Sequence, residues 1–526
     1  MFSYTSDGAK DCVVTRTFGE RQTKEVVCDY NLPDYLPDVS RILRTDARVC
    51  RAGKYINGSA LEYDGTLDFR VVYSTSDGVL KSAEFSSDYS GSMMLSDYSG
   101  DCRVDADTTL ESAGCRLQNP RKLTVKAKVL VSAEISCAKC TAPVMNVKLT
   151  QDEERGIQYK NETLDVCFRI TASDPDIALG EDAEIPQTLP AASEIVAVSL
   201  DPSMTEIRAG DGVISYRGAV LARVLYAAAQ EDESIAPEYY CFSKKFSVSG
   251  EAAAEGVSPS CFCTGTLCVT DASHKLSPNA EGEMRTVELD ATYTAYLDAF
   301  CNAKSEVTTD MYSTHYESDT ETEELSYRTA VAAKTFNTTQ SVCAEAADEF
   351  TGVVCASASA SVTDAEKSGG KMIFSGTANV AAILRSDDGV YTGRTFSAPF
   401  RAEADVANIP DDYEFSAVAS VLDVSCRHDG EKLCADVEIA VSYVIFANRD
   451  VIVASKLAIA KDRPRTSRLG AGVTLYYPSR SDTLWEISKK YGVTCAELCA
   501  LNDIQGEAPS DAVLMIPRKK RGNMLV

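Results

Sequence analysis

Seven residues of this chain return unchanged at one fixed spacing. Pro37, Ser40, Ile42, Gly65, Arg70, Val71 and Tyr73 recur 153 residues later as Pro190, Ser193, Ile195, Gly218, Arg223, Val224 and Tyr226. Such a duplication commits the chain to building one module at least twice, with like residues making like contacts. The period of the apolar residues says what the module is made of. Leu123, Val125, Ala127, Val129 and Val131 alternate with Thr124, Lys126, Lys128 and Leu130, the two-residue period of a strand with one buried face. Gly65 to Tyr73 and Val79 to Phe85 flank Asp77-Gly78, a pair that favours the tight turn of a β-hairpin. Ahead of it, the two prolines in CDYNLPDYLPDVSRILRTDARV (Cys28 to Val49) predict a turn running into a short helix or strand. A loop rich in Gly, Ser and Tyr is expected near Ser90 to Gly100, and the segment Cys102 to Cys115 supplies a further strand.

The second copy continues through CFCTGTLCV, a turn at Ser277-Pro278-Asn279 and TVELDATYTAYLDAF. The acidic stretch His315 to Leu325 reads as a linker or exposed crossing. Beyond it a more divergent copy repeats the hairpin in GTANVAAIL, SDDG and YTGRTFSAPF, and the alternation Ala435, Val437, Ile439, Val441 echoes the first copy. These signals divide the chain into strand-rich modules at residues 1–150, 151–314 and 315–460, a linker at 461–472, a small unit at 473–518 and a basic tail at 519–526. The expected fold class is mainly β, in tandem strand-rich modules, plus a small C-terminal α+β domain.

That C-terminal unit reads strand, helix, helix, strand. Val473 to Tyr477 and Val513 to Ile516 are the strands, the latter ended by Pro517. Asp482 is expected to cap a first helix with the apolar face Leu484, Ile487, Ser488 and Tyr491, stopped by Gly492. Thr494 and Glu497 form a capping box that opens a second helix burying Leu498 and Leu501.

The residues SDTLWEISKKYGVTCAEL, then LND and VLMIP, closely resemble a LysM domain, with Ser481 standing where the family usually has glycine. The resemblance implies a βααβ fold and a ligand groove formed by two loops. By position these are Ser481, Asp482, Thr483 and Leu484, then Asn502, Asp503, Ile504 and Gln505. Capping for Asp482 and core packing for Leu484 stand beside ligand contact as alternatives, and Trp485 is expected in the domain core or at the groove edge. The element Leu32 to Val49 is similar to the opening of the SPOCS domain, a module of endospore-forming bacteria often found in tandem and followed by LysM. Together the two resemblances imply a sporulation protein of the mother-cell cytoplasm, at the spore coat surface. It would be a non-enzymatic scaffold whose LysM domain docks on a SpoIVA-like coat morphogenetic ATPase. The alternative is a peptidoglycan- or cortex-binding protein that holds N-acetylglucosamine chains in the same groove.

Charge narrows the partners. A formal net charge of −26 repels phosphate backbones and anionic bilayers, so neither nucleic acid nor membrane insertion is expected. The RKKR sequence near the end reads as a solvated tail. The N-terminus has no basic segment followed by an apolar run, so no secretory signal is expected. The 19 cysteines are scattered singly among apolar residues, which predicts free, buried thiols rather than a disulfide framework. Catalytic chemistry finds little support. His274, His315 and His428 have no partner motif, and the first and last are expected in loops. Cys137-Ala-Lys-Cys140 has metal-ligand spacing but no second pair. Cys261 with Cys263, and Cys495 with Cys499, read as packing pairs. No nucleophile or phosphate-binding motif occurs, so no catalytic residue, cofactor or metal is expected. A hydrolase built on an unrecognised carboxylate pair rests only on the company LysM domains keep.

Overall fold

Alternating burial builds three β-sandwiches in succession. The computed structural model describes residues 12–49, 53–96, 98, 102–230, 237–345, 350–429, 432–465, 472–504 and 513–517. The first module has β1 (Cys12–Asn31), β2 (Arg41–Val49), β3 (Gly53–Asn57), β4 (Ala60–Ser74), β5 (Leu80–Met94), β6 (Cys102–Asn119) and β7 (Lys122–Cys140). One sheet runs β1-β7-β6; in the other, β4 pairs with β5 on one side and with β2 and β3 on the other. All five predicted core positions of β7, from Leu123 to Val131, are no more than 1 % exposed. They pack on Leu61, Tyr63, Leu67, Phe69 and Val71 of the facing sheet, as in any pair of sheets stacked over one core. A short β8 (Val144–Met145) and α1 (Gln151–Arg155) lead into the second module.

That module has β9 (Ile157–Glu184), β10 (Ala192–Ala209), β11 (Val213–Ala228), β12 (Tyr239–Ala253), β13 (Phe262–Pro278) and β14 (Met284–Ser313). The third has β15 (Tyr316–Glu345), β16 (Gly352–Ser368), β17 (Lys371–Arg385), β18 (Tyr391–Asp405), β19 (Tyr413–Asp429) and β20 (Lys432–Pro464). The sheet orders repeat: β13-β14-β9 with β10-β11-β12, then β19-β20-β15 with β16-β17-β18. Each module has its own core, so the divergent third copy is a module of the same topology.

The repeated residues have repeated jobs. Tyr73 donates its hydroxyl to the Pro37 carbonyl at 3.2 Å, and Tyr226 does the same to Pro190 at 2.9 Å. Arg121 holds the same proline loop through the Leu32, Pro33 and Leu36 carbonyls, and Arg285 through those of Pro186 and Leu189. The third module has Leu384 at the tyrosine's place and no equivalent clamp among the described residues.

Several expectations change. The acidic stretch after His315 is the first part of β15, whose backbone groups are taken up by β20. Its charged residues alternate outward, which in composition alone looks like a linker. The expected linker at 461–472 begins as the end of β20, through Pro464, while 466–471 lie outside the described residues. Strand β5 runs to Met94, into the expected loop. His274 and His428 lie in β13 and β19 rather than in loops.

The thiols are not all free either. Cys102–Cys137, Cys261–Cys301 and Cys343–Cys434 are disulfides. Cys102 and Cys137 are direct register partners, as are Cys343 and Cys434, so antiparallel pairing brings together thiols that are far apart in sequence. Disulfide pairing takes Cys137 out of the CxxC pair and Cys261 out of the packing pair with Cys263.

Strands β9, β14, β15 and β20 outrun their sandwiches as two stacked ribbons. Leu164, Val166, Val307, Leu325, Tyr327, Val451 and Val453 fill the space between them, followed by Ile157, Met311, Ala454, Leu457 and Ile459. The modules also close a ring. A β-bulge follows Ile42 in β2, Ile195 in β10 and Val353 in β16. The extra residues Leu43, Val196 and Val354 turn toward one shared cluster with Val72, Leu225 and Ile383. In it β5 lies against β10, β12 against β16 and β18 against β2, an approximate three-fold arrangement within one chain.

Candidate functional site

The C-terminal unit is built as its local signals require. Strand β21 (Val473–Tyr476) pairs antiparallel with β22 (Leu514–Pro517), and helices α2 (Leu484–Tyr491) and α3 (Cys495–Asn502) lie between them in sequence. Ile487, Val493, Leu498, Leu514 and Ile516 form the core, with Tyr476, Leu484, Tyr491 and Ile504 half-buried against it. Gly492 ends α2 in the left-handed conformation, φ 66°, where a side chain would be strained. The Thr494–Glu497 capping box opens α3 at 3.0 and 2.9 Å.

Two details depart from expectation. Thr483, not Asp482, caps α2, in a reciprocal box with Glu486. The Asp482 carboxylate instead accepts from the Ser479 amide and the Tyr476 hydroxyl, both at 2.8 Å, and these bonds hold it below the usual carboxylate range. Leu501 is 37 % exposed rather than core, since α3 turns only Leu498 fully inward.

The two loops expected to line a groove sit against the same core. Ser481 and Thr483 are exposed, Asp482 and Leu484 half-buried. On the other loop, Asp503 is exposed in the left-handed cap of α3, and Ile504 is half-buried. Asn502 is an internal clamp: its amide nitrogen donates to the Leu498 and Met515 carbonyls at 2.8 and 2.7 Å, and its oxygen accepts from the Met515 amide at 2.6 Å. Gln505 lies outside the described residues, as does the basic tail. On the outer face of the β21–β22 pair, Leu475 opposes Met515, and Val473, Leu475, Tyr477, Val513 and Met515 are all exposed.

Trp485 lies outside the core cluster of the unit and faces the tip of the stacked ribbons. Its indole N–H donates to Asp310 at 2.6 Å, and Lys489, one turn on, pairs with the same carboxylate at 2.6 Å. Asp310 is near the end of β14. Beside it the Tyr312 ring stacks edge-on with Trp485, centroids 4.9 Å apart, and its hydroxyl donates to the Val493 carbonyl at 2.7 Å. Arg465 completes the seam, donating to the Tyr316 and Lys489 carbonyls, its side chain lying where a Cβ on Gly492 would come within 2.6 Å. The unit is therefore docked by one face of α2 on the tip of the ribbon. Sequence reasoning missed Asp310, Tyr312 and Arg465, because nothing in a strand-end Asp-Met-Tyr identifies a docking site. The hydrogen bonds that the loop side chains Ser481, Asp482, Thr483 and Asn502 make or accept stay inside the unit.

Among the described residues no helix is long and apolar enough to cross a membrane, and no cluster of His, Cys, Asp and Glu could hold a metal ion. No curated protein and no solved structure gives a match to the chain. Residues 480–509 match the LysM domain family, and LysM domains bind peptidoglycan glycan chains or proteins.

Proposed function

We propose that this protein is a non-enzymatic scaffold of the bacterial spore coat, whose LysM unit docks on a coat basement-layer ATPase through the loops at Ser481–Leu484 and Asn502–Gln505. The observation that carries a protein partner over a glycan is how the polar groups are used. Two polar side chains of these loops, Asp482 and Asn502, are already bonded to Tyr476, Ser479, Leu498 and Met515. Next to them the β21–β22 pair and the adjoining Tyr477 offer an apolar face in Leu475, Tyr477 and Met515, a surface suited to a protein contact. The assignment to the spore coat rests on the SPOCS-like opening and on tandem modules ending in LysM.

The test is a pulldown of the full chain against a purified coat basement-layer ATPase and, separately, against purified peptidoglycan. Retention on the ATPase and none on peptidoglycan is expected. Retention on peptidoglycan alone would overturn the docking role and establish the glycan-binding alternative in its place.

A further inference from the structure

The three seams of the ring are built on equivalent positions but differ in chemistry. At the first, the Ser82 hydroxyl on β5 donates to the Val196 carbonyl at 2.6 Å. At another, Gly393 on β18 lies so close to β2 that an added Cβ would come within 1.8 Å of the Leu43 carbonyl oxygen. The remaining seam has sulfur on both sides. Cys241 on β12 donates its S–H to the Cys355 sulfur on β16 at 3.0 Å, joining the second module to the third. The first module contributes too: Arg44, 4 % exposed, directs Nη1 at the Cys355 sulfur from 3.2 Å while its Nε pairs with Asp46. Arg223, also 4 % exposed and paired with Asp201, adds a second guanidinium nearby.

The two sulfurs are therefore unlike. Donation from Cys241, with the two guanidiniums, holds the Cys355 thiol below its ordinary pKa against the cost of burial. Cys241, the donor of the pair, is pushed up. A thiolate beside a protonated thiol is the pairing of an attacking and a resolving cysteine. Cys241 is half-buried and Cys355 is 4 % exposed, so Cys241 is the more exposed member of the pair.

We propose that Cys241 and Cys355 form a redox lock that covalently closes the ring between the second and third modules when the protein meets a peroxide. The Cys355 thiolate attacks one peroxide oxygen; the S–O bond forms as the O–O bond breaks, and the departing hydroxide takes up a proton to become water. The Cys241 sulfur then attacks the sulfenic sulfur; the S–S bond forms, the S–O bond breaks, and the hydroxyl leaves with the Cys241 proton as a second water. Two thiols and one peroxide become one disulfide and two waters, the sulfurs losing the two electrons that the peroxide gains.

The test uses the full chain, treated with dithiothreitol, desalted and exposed to hydrogen peroxide. It is then denatured in iodoacetamide and digested without reductant by trypsin and a glutamate-specific protease, which separates Cys355 from Cys343. A linked pair of peptides carrying Cys241 and Cys355, two hydrogens lighter than their sum, is expected as the major fate of both cysteines. In Cys241→Ser that pair is absent, and Cys355 is trapped as sulfenic acid by dimedone. The proposal is overturned if both cysteines are recovered alkylated after peroxide, if Cys355 links to a different cysteine, or if it passes to sulfinic acid while Cys241 stays free.

Discussion

Replacing Asp310 by Ala should loosen the LysM unit from the ribbon, by an amount that the contacts allow to be worked out. Asp310 accepts two short bonds, from the Trp485 indole and the Lys489 ammonium, both at 2.6 Å. Bonds to a charged group contribute about 1.5–3 kcal/mol each in mutational series. These two share one carboxylate, and the released Lys489 can return to water, so the sum is discounted to about 2–4 kcal/mol. That is roughly a 30- to 1000-fold shift in the docked-to-undocked equilibrium. The assay follows from composition: Trp485 is the only tryptophan in the chain, so its emission reports this seam alone. In a urea titration followed by tryptophan fluorescence, Asp310→Ala should move the first transition to lower urea, with redder emission and stronger acrylamide quenching. An unchanged midpoint and unchanged quenching would refute the claim that Asp310 anchors the unit.

Other consequences can be checked on the same protein. Leu498→Ala, at a fully buried position, should cost about 2–5 kcal/mol and unfold a unit this small, whereas Ile504→Asp, at a half-buried one, should cost less stability and more partner binding; equal losses in melts and pulldowns would sink the distinction. Gly393→Ala places a methyl against the Leu43 carbonyl and should cost on the order of 1–3 kcal/mol or more by overpacking, read as a lower urea midpoint by circular dichroism; an unchanged midpoint would mean that the ring seam has slack. Burial pushes the Asp310 carboxyl up, but bonds from Lys489 and Trp485 outweigh it and depress its folded pKa. The docking that it supports is therefore complete above the ordinary carboxylate value of about 4 and is lost as pH falls through the depressed one; Trp485 emission should stay constant down to about pH 4–5 and shift red only below, and a shift already under way near neutrality would contradict the assignment.

How much of this was legible in the chain depended on how far apart the interacting residues lie. The strands of all three modules follow from a two-residue period, which is local, and β7 and β20 came out with the predicted faces inward. The duplication was visible where identity and function coincide, as at Tyr73 and Tyr226 over their prolines. It faded in the third module because what persists there is a bulge after Val353 and an alternation of burial, neither of which requires the same residue. The disulfides were invisible for a related reason. Cys343 and Cys434 are 91 residues apart, and only the register of β15 on β20 makes them neighbours.

The binding unit shows the same division between what the local chain carries and what the whole fold decides. Its left-handed stop, the Thr494–Glu497 box and most of its core could be read from forty-odd consecutive residues, because a small βααβ unit satisfies its own helix ends, whereas the cap of α2 fell one residue on, at Thr483, and Leu501 turned outward. Its orientation could not, since Asp310 precedes Trp485 by 175 residues. That orientation has a consequence for binding. A LysM unit on a free tether would present its loops in every direction and lose that freedom on capture, whereas one held by Trp485, Lys489 and Val493 has already lost it. The contacts on the ribbon tip use one face of α2, and the side-chain hydrogen bonds of the Ser481–Leu484 loop and of Asn502 stay within the unit. A partner that engages those loops would therefore meet a surface whose position relative to the three sandwiches is already set, and Asp310→Ala should weaken its capture by the full chain even though Asp310 belongs to neither loop.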